Sequence, residues 1–100
     1  MTDFLKPPRI SEIVATDYHG HAGNMISVAA FDDFMVNEVK VKIRDAGGTV
    51  LEEGACVPDS NRMFWIYTAT TEVPDLTGVS VTATATDNPR HTGEGTVVLG

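Results

Sequence analysis

The chain has 100 residues, of which 42% are apolar and 21% charged, and fourteen acidic residues against seven basic ones give a net charge of −7. This length predicts one folded domain, and no apolar run approaches the roughly 20 residues that span a bilayer, so we expect no membrane insertion. The acidity excludes the charge pattern of a nucleic-acid-binding protein. A single cysteine, Cys56, excludes an intrachain disulfide and a cysteine-based zinc site.

Residues 1–8 are predicted to be a lead-in or linker segment, because Pro7 and Pro8 favour an extended polyproline conformation. They lack a basic segment followed by an apolar one, so we expect no secretion signal there. The compartment stays open. The protein would be extracellular or at the cell surface if the chain belongs to a longer exported protein, and cytoplasmic if this is the full chain. Residues 9–100 are predicted to form the folded domain.

Apolar residues recur with a period of two along the domain, which is typical of half-buried strands and not of helices. Turn residues divide this pattern into seven predicted strands at residues 10–17, 27–31, 39–44, 49–53, 62–70, 79–86 and 95–99. No stretch has the caps and the 3.6-residue period of a stable helix. The sequence therefore predicts an all-β fold, a two-sheet antiparallel sandwich of seven strands.

The fifth predicted strand carries an almost continuous apolar run and so has two apolar faces. If Trp65 and Tyr67 point inward, Phe64 and Ile66 must cover the other side of the sheet or meet a neighbouring module. The third strand is different, because its apolar residues alternate with Lys40 and Lys42, which predicts a solvated outer face.

Four stretches in this order carry a resemblance to a known family: NMISVAAFDD at residues 24–33, VKVKI at 39–43, WIYTAT at 65–70 and VTATATD at 81–87. Together they resemble the bacterial immunoglobulin-like domains of surface proteins and adhesins, which are related to fibronectin type III modules. The resemblance implies an immunoglobulin-like sandwich with Greek-key topology. It also implies a non-catalytic structural spacer or adhesion domain of a surface or secreted protein, whose partners are neighbouring domains or a protein or carbohydrate ligand.

The same topology predicts that three acidic loops lie together at one end of the sandwich. Asp32, Asp33 and Asp87, with Asn88 and Asp59, would then supply the oxygen ligands that calcium prefers. The alternative is that these side chains cap turns and satisfy loop amides. The sequence therefore predicts no required cofactor, with calcium as the candidate ion at these loops.

Other candidate sites each have a structural alternative. Trp65 and Tyr67 would form a platform for a sugar or peptide if exposed, but aromatic residues two apart on a central strand are also typical of a core. A ligand would otherwise contact the loops that carry Asp32, Asp87 and His91.

His19 and His21 would chelate a transition metal, or simply belong to a polar loop. Cys56 would act as a nucleophile only beside a histidine base, and the sequence brings none to it. Glu52 and Glu53 face opposite sides of a strand and cannot flank one bond. We therefore expect no enzyme.

Overall fold

The computed structural model describes residues 9–31, 36–59, 64–87 and 92–99, and within them the chain forms eight β-strands. The strands are β1 (Arg9–Val14), β2 (Met25–Phe31), β3 (Val36–Arg44), β4 (Val50–Ala55), β5 (Val57–Pro58), β6 (Phe64–Thr68), β7 (Ser80–Asp87) and β8 (Thr92–Val98). They form two four-stranded sheets, with the order β1-β2-β6-β5 in the first sheet and β4-β3-β7-β8 in the second. All pairings are antiparallel, which confirms the predicted all-β class and its two antiparallel sheets.

The predicted strand number, seven, is wrong for a local reason at Cys56. The chain leaves β4 in the second sheet, passes through this one residue, and pairs again as β5 in the first sheet, opposite β6. β5 has two residues and one of them is Pro58, so it carries neither the length nor the alternation that identifies a strand in sequence. The aromatic strand is therefore the sixth of the described strands and not the fifth.

The core lies between the sheets and follows the period-two pattern. On β3, Val39, Val41 and Ile43 are between 0% and 1% exposed, whereas the lysines between them point to solvent. β7 contributes Val81 and Ala83 opposite them, both fully buried. The sandwich closes on one side where β1 packs against β8. Gly95 on β8 lies so close to Ile10 on β1 that an added Cβ atom would come within 3.1 Å of the Ile10 side chain.

The strand register defines two ends of the sandwich. At the first end, Arg9 pairs with Phe31, and Val36 pairs with Asp87. At the second end, Val98 pairs with Ser80. The connections after β2 and β7, together with the one before β6, therefore leave the first end, as the sequence predicts. No helix among the described residues is long and apolar enough to cross a bilayer.

Candidate functional site

The most elaborate polar arrangement in the described part of the chain surrounds a buried acid, Glu52. This residue lies on β4 opposite Ile43, so the strand alternation turns it into the core, where it is 8% exposed. Its Oε1 accepts hydrogen bonds from the Tyr67 hydroxyl at 2.5 Å, the Thr70 amide at 2.9 Å and the Thr70 hydroxyl at 3.2 Å. Its Oε2 accepts one from the Thr71 amide at 3.2 Å. The carboxylate thus ties the second sheet to β6 and to the segment that follows it.

Two tyrosines share this environment. Burial, followed by the hydrogen bond to Glu52, raises the pKa of Tyr67 well above its usual value. Burial also raises the pKa of Tyr18, with smaller contributions from the charges of Glu52 and Glu72. Both phenols are therefore neutral hydroxyls at neutral pH, and Tyr67 acts as a donor to the acid. With four donors already directed at it, Glu52 serves as a structural clamp and not as a base open to a ligand.

Sequence reasoning missed both Glu52 and Tyr18 as core residues. The residues that follow Tyr18 indicate a polar loop, but only 2% of its surface is exposed and it packs in the core. Its hydroxyl has no hydrogen-bond partner among the residues that the structure describes. For Glu52 the strand pattern gives no such signal, because Val50, two residues before it, is 43% exposed, and only the pairing with Ile43 shows that Glu52 points inward.

Trp65 and Tyr67 lie in the core, each 5% exposed. They face inward on β6, where Trp65 pairs with Val28 and Tyr67 with Ile26. A stacking platform for a sugar or peptide requires exposed rings, so these two residues cannot provide one in this conformation. Their outward neighbours, Phe64 and Ile66, are half-buried on the other side of the sheet.

Cys56 is 8% exposed at the crossing between the two sheets, and its amide donates to the Val39 carbonyl at 2.8 Å. Burial raises the pKa of its thiol to about 12. A thiol with that pKa is almost wholly protonated at neutral pH, and only the thiolate is an effective nucleophile. Cys56 therefore acts as a small packing residue.

The two loop histidines belong to a hydrogen-bonded loop at the second end. The Asn24 side chain accepts from the His19 amide at 2.9 Å and from the His21 amide at 3.1 Å. Glu72 contacts His21 Nδ1 at 3.0 Å and accepts from the Ala22 amide at 2.5 Å. The His21 contact is the main reason that the pKa of Glu72 is lowered. These contacts fasten the β1–β2 loop to the β6–β7 connection.

Metal ligands do not assemble within the described ranges, where no group of three or more histidine, cysteine, aspartate or glutamate side chains is suited to hold an ion. The predicted calcium ligands Asp32 and Asp33, with Asn88 and the loop residue His91, lie outside the described residues, and so does the side chain of Asp87. The calcium prediction therefore finds no support in the part of the chain that is described.

A groove of about 500 Å³ crosses the outer face of the second sheet. Its polar rim consists of Lys40, Lys42, Glu53, Thr82 and Thr84, and we call it the lysine groove. Lys42 lies 3.4 Å from Glu53, and Lys40 lies 3.9 Å from Glu38 on the same strand. The ammonium groups are thus partly balanced by neighbouring carboxylates, although they remain exposed to solvent.

Comparison with known proteins supports the architecture. No protein-family model matches the chain, and no curated protein does. In fold, the chain is similar to CopC from Methylosinus trichosporium OB3b. The two structures superpose with a TM-score of 0.62 over 89% of this chain and 87% of that one, at 15% sequence identity. The likeness shows a shared β-sandwich fold, and the immunoglobulin-like family assignment stays a prediction.

Proposed function

We propose that the chain is a non-catalytic β-sandwich module with a structural role in a larger surface or secreted protein, joined end to end with its neighbours. One observation carries the proposal. β1 starts at the first end, where Arg9 pairs with Phe31, and β8 finishes at the second end, where the Leu99 amide donates to the Val79 carbonyl at 2.7 Å. Copies linked through these points would extend along one line, with the spacing set by strands of six to nine residues, roughly 20 to 30 Å long.

The same arrangement suits a module that bears load. Tension applied at Arg9 and Leu99 runs along the strands, because the two points lie at opposite ends of the sandwich. β1 is hydrogen-bonded along its length to β2, and β8 to β7. A force in this direction loads the bonds of each ladder together, in shear, instead of breaking them one after another.

The chemistry of the buried groups supports a role without catalysis. Glu52 accepts hydrogen bonds from Tyr67 and from two successive threonines, and Cys56 has a pKa of about 12. An acid or base catalyst needs access to substrate and a pKa near the working pH. Glu52 and Cys56 are each only 8% exposed, so a substrate cannot reach either group, and both contribute to packing instead.

Size and location in the cell test the proposal directly. An antiserum raised against the purified chain is used on fractionated cells that make the protein. We expect a species much larger than 10.7 kDa in the envelope or culture-medium fraction. A single 10.7-kDa species in the cytoplasmic fraction would contradict the proposal.

Force spectroscopy tests the load-bearing part. A chain pulled through Arg9 and Leu99 should resist more force than the same chain pulled through Gly47 and Leu99. The second pair lies entirely at the second end, because Gly47 is in the turn that follows β3, so that geometry peels β8 away bond by bond. Equal unfolding forces in the two directions would count against a mechanical role.

A second candidate function is recognition of an acidic saccharide in the lysine groove, favoured by the two exposed ammonium groups beside the Thr82 and Thr84 hydroxyls. Binding would be weak and salt-dependent, because Glu53 competes for Lys42. Titration with a uronic acid oligosaccharide should shift the amide signals of β3 and β7, and Lys42→Gln should reduce the effect. Shifts that are the same in Lys42→Gln would exclude this site.

A further inference from the structure

The edge strands of the two sheets differ in how well they are protected from pairing with another strand. Proteins block such edges with bulges, prolines, inward-pointing charges or very short strands. β1 has a bulge between Ile10 and Glu12, and β5 has two residues, one of them Pro58. β4 turns the charged Glu52 into the core. β8 (Thr92–Val98) has neither proline nor lysine, and it pairs with β7 in unbroken register over seven residues. It is the least protected edge of the described strands.

Alternate residues of β8 direct their backbone groups towards this free edge. The Leu99 amide donates to the Val79 carbonyl at 2.7 Å, so every second residue before Leu99 faces β7 with its backbone groups. The N–H and C=O groups of Glu94, Thr96 and Val98 therefore point away from β7. Within the described ranges, no backbone hydrogen bond joins them to β1. An extended strand satisfies such a row, because it presents its own backbone groups at the same two-residue spacing.

An apolar groove of about 410 Å³ lies beside this edge, between β8 and β1 at the second end, and we call it the edge groove. Towards the first end the two strands touch, since Ile10 packs against Gly95. Half-buried residues of the core line the groove: Ile13, Ala15, Leu76, Val97 and Leu99. A strand added to β8 directs every second side chain to the same side as Val97 and Leu99, and so into the groove.

Cross-strand pairing defines the side chains of the added strand. Val98 is 71% exposed on the outer face, which favours a β-branched residue opposite it. Glu94 is the one charged residue of β8, so a basic residue belongs opposite it. Residues opposite Val97 and Leu99 are apolar, because they enter the edge groove. In the antiparallel direction, the partner strand therefore has apolar, β-branched, apolar, polar, small and basic residues in that order.

We propose that β8 binds an extended basic strand of another protein, which extends the second sheet in the antiparallel direction and fills the edge groove. This binding does not depend on a load-bearing role of the module. A second copy of β8 fits less well, because β8 has no basic residue to place opposite Glu94 and two chains of −7 repel each other. Six residues of strand bury less than the roughly 800 Å² per partner of a stable complex, so we expect a Kd on the order of 100 µM.

A synthetic peptide, acetyl-LVITAK-amide, is the probe. Its valine lies opposite Val98 and its lysine opposite Glu94 in the proposed register. Titration followed by NMR should shift the amide signals of Glu94, Thr96 and Val98, and those three amide hydrogens should exchange with solvent more slowly at saturation. The control peptide acetyl-LVIPAK-amide lacks the N–H opposite Thr96 and should bind about tenfold more weakly.

A charge exchange tests the register. The wild type should bind the LVITAK peptide at least about threefold more tightly than an LVITAE peptide, and Glu94→Lys should reverse that order. Glu53→Lys is the matched control, because it makes the same change of charge at an exposed position on β4, at the opposite edge of the sheet. It should leave the preference for LVITAK unchanged.

Four results overturn the proposal. They are the absence of amide shifts at about 2 mM peptide, equal binding of the two control and probe peptides, a peptide preference that Glu94→Lys and Glu53→Lys change equally, and shifts confined to the lysine groove. Pairing of β8 with a second copy in the absence of peptide, seen as slower exchange of the Thr96 amide at high protein concentration, also overturns it, since the chain itself would then be the partner.

Discussion

Removal of one hydroxyl at the Glu52 clamp tests the claim that this buried acid holds the two sheets together. Tyr67→Phe deletes a single oxygen from a ring that is 5% exposed and leaves the apolar packing in place. The lost hydrogen bond is the 2.5 Å contact with Glu52 Oε1, in which the acceptor is a carboxylate. Hydrogen bonds of this kind stabilise proteins by about 1.5 to 3 kcal/mol.

We expect a loss of about 2 kcal/mol, in the lower half of that range, because the Thr70 and Thr71 groups still donate to the acid. For a domain of this size the loss lowers Tm by roughly 10 °C. Urea unfolding followed by the fluorescence of Trp65, the single tryptophan, gives the free energy directly. The same substitution in a Glu52→Gln background should cost at least about 1 kcal/mol less if the two groups are coupled.

The stabilisation of the fold by Tyr67 should also change with pH in a direction that can be checked. The pKa of Tyr67 is raised in the folded state above the usual 10.0, so the neutral hydroxyl stabilises the fold fully below pH 10 and loses that effect as the pH rises through the folded value. The gap in stability between the wild type and Tyr67→Phe should therefore narrow in strong alkali. A loss under about 0.5 kcal/mol at neutral pH, or an unchanged cost in the Glu52→Gln background, would refute the clamp.

Three further outcomes follow from the described contacts. With a pKa of about 12 in place of 9.0, Cys56 should react with a disulfide reagent at pH 8 about 10³-fold more slowly than a free thiol, and rapid labelling of the folded protein would contradict its burial. Gly20→Ala should cost about 2 kcal/mol more than Gly23→Ala in chemical unfolding. Both glycines have positive φ angles, 88° and 93°, but only a Cβ on Gly20 would clash with a backbone oxygen, that of Val73. The pKa of the Glu72 carboxyl is lowered in the folded state. Its hydrogen bond from the Ala22 amide is therefore present above the usual pKa of 4.5 and is lost as the pH falls through the folded-state pKa. A titration of that amide signal should be absent in Glu72→Gln.

The period-two pattern predicts most of the strands, because alternation is a property of local sequence. β3 and β7 follow directly from Val39, Val41 and Ile43 on one strand and from the alternating threonines on the other. β5 is different, since Val57 and Pro58 become a strand only because the chain crosses between sheets at Cys56. That crossing depends on the position of β6, which is a tertiary fact and has no local signature.

The site was harder to predict than the fold. Glu52 looks like an ordinary strand-edge acid until its four donors are known, and three of those donors come from Thr70 and Thr71, eighteen and nineteen residues later. Tyr18 stands beside glycines and histidines that indicate a polar loop, yet its ring completes the core. In both cases a distant segment supplies the partner, and a period-two pattern contains no information about such a partner.

Closure of the sandwich also sets how this chain must fold as it is made. Ile10, on β1, packs against Gly95, on β8, so this side of the core stays open until β8 has been made. At about 5 to 20 residues per second, translation leaves Ile10 and Ile13 waiting on the order of 5 to 15 seconds for β8. Pairings of such long sequence separation also form slowly. During that interval the core-facing side chains of β1, Ile10 and Ile13, lack their contacts with β8, and a chaperone that recognises extended apolar strands would bind them.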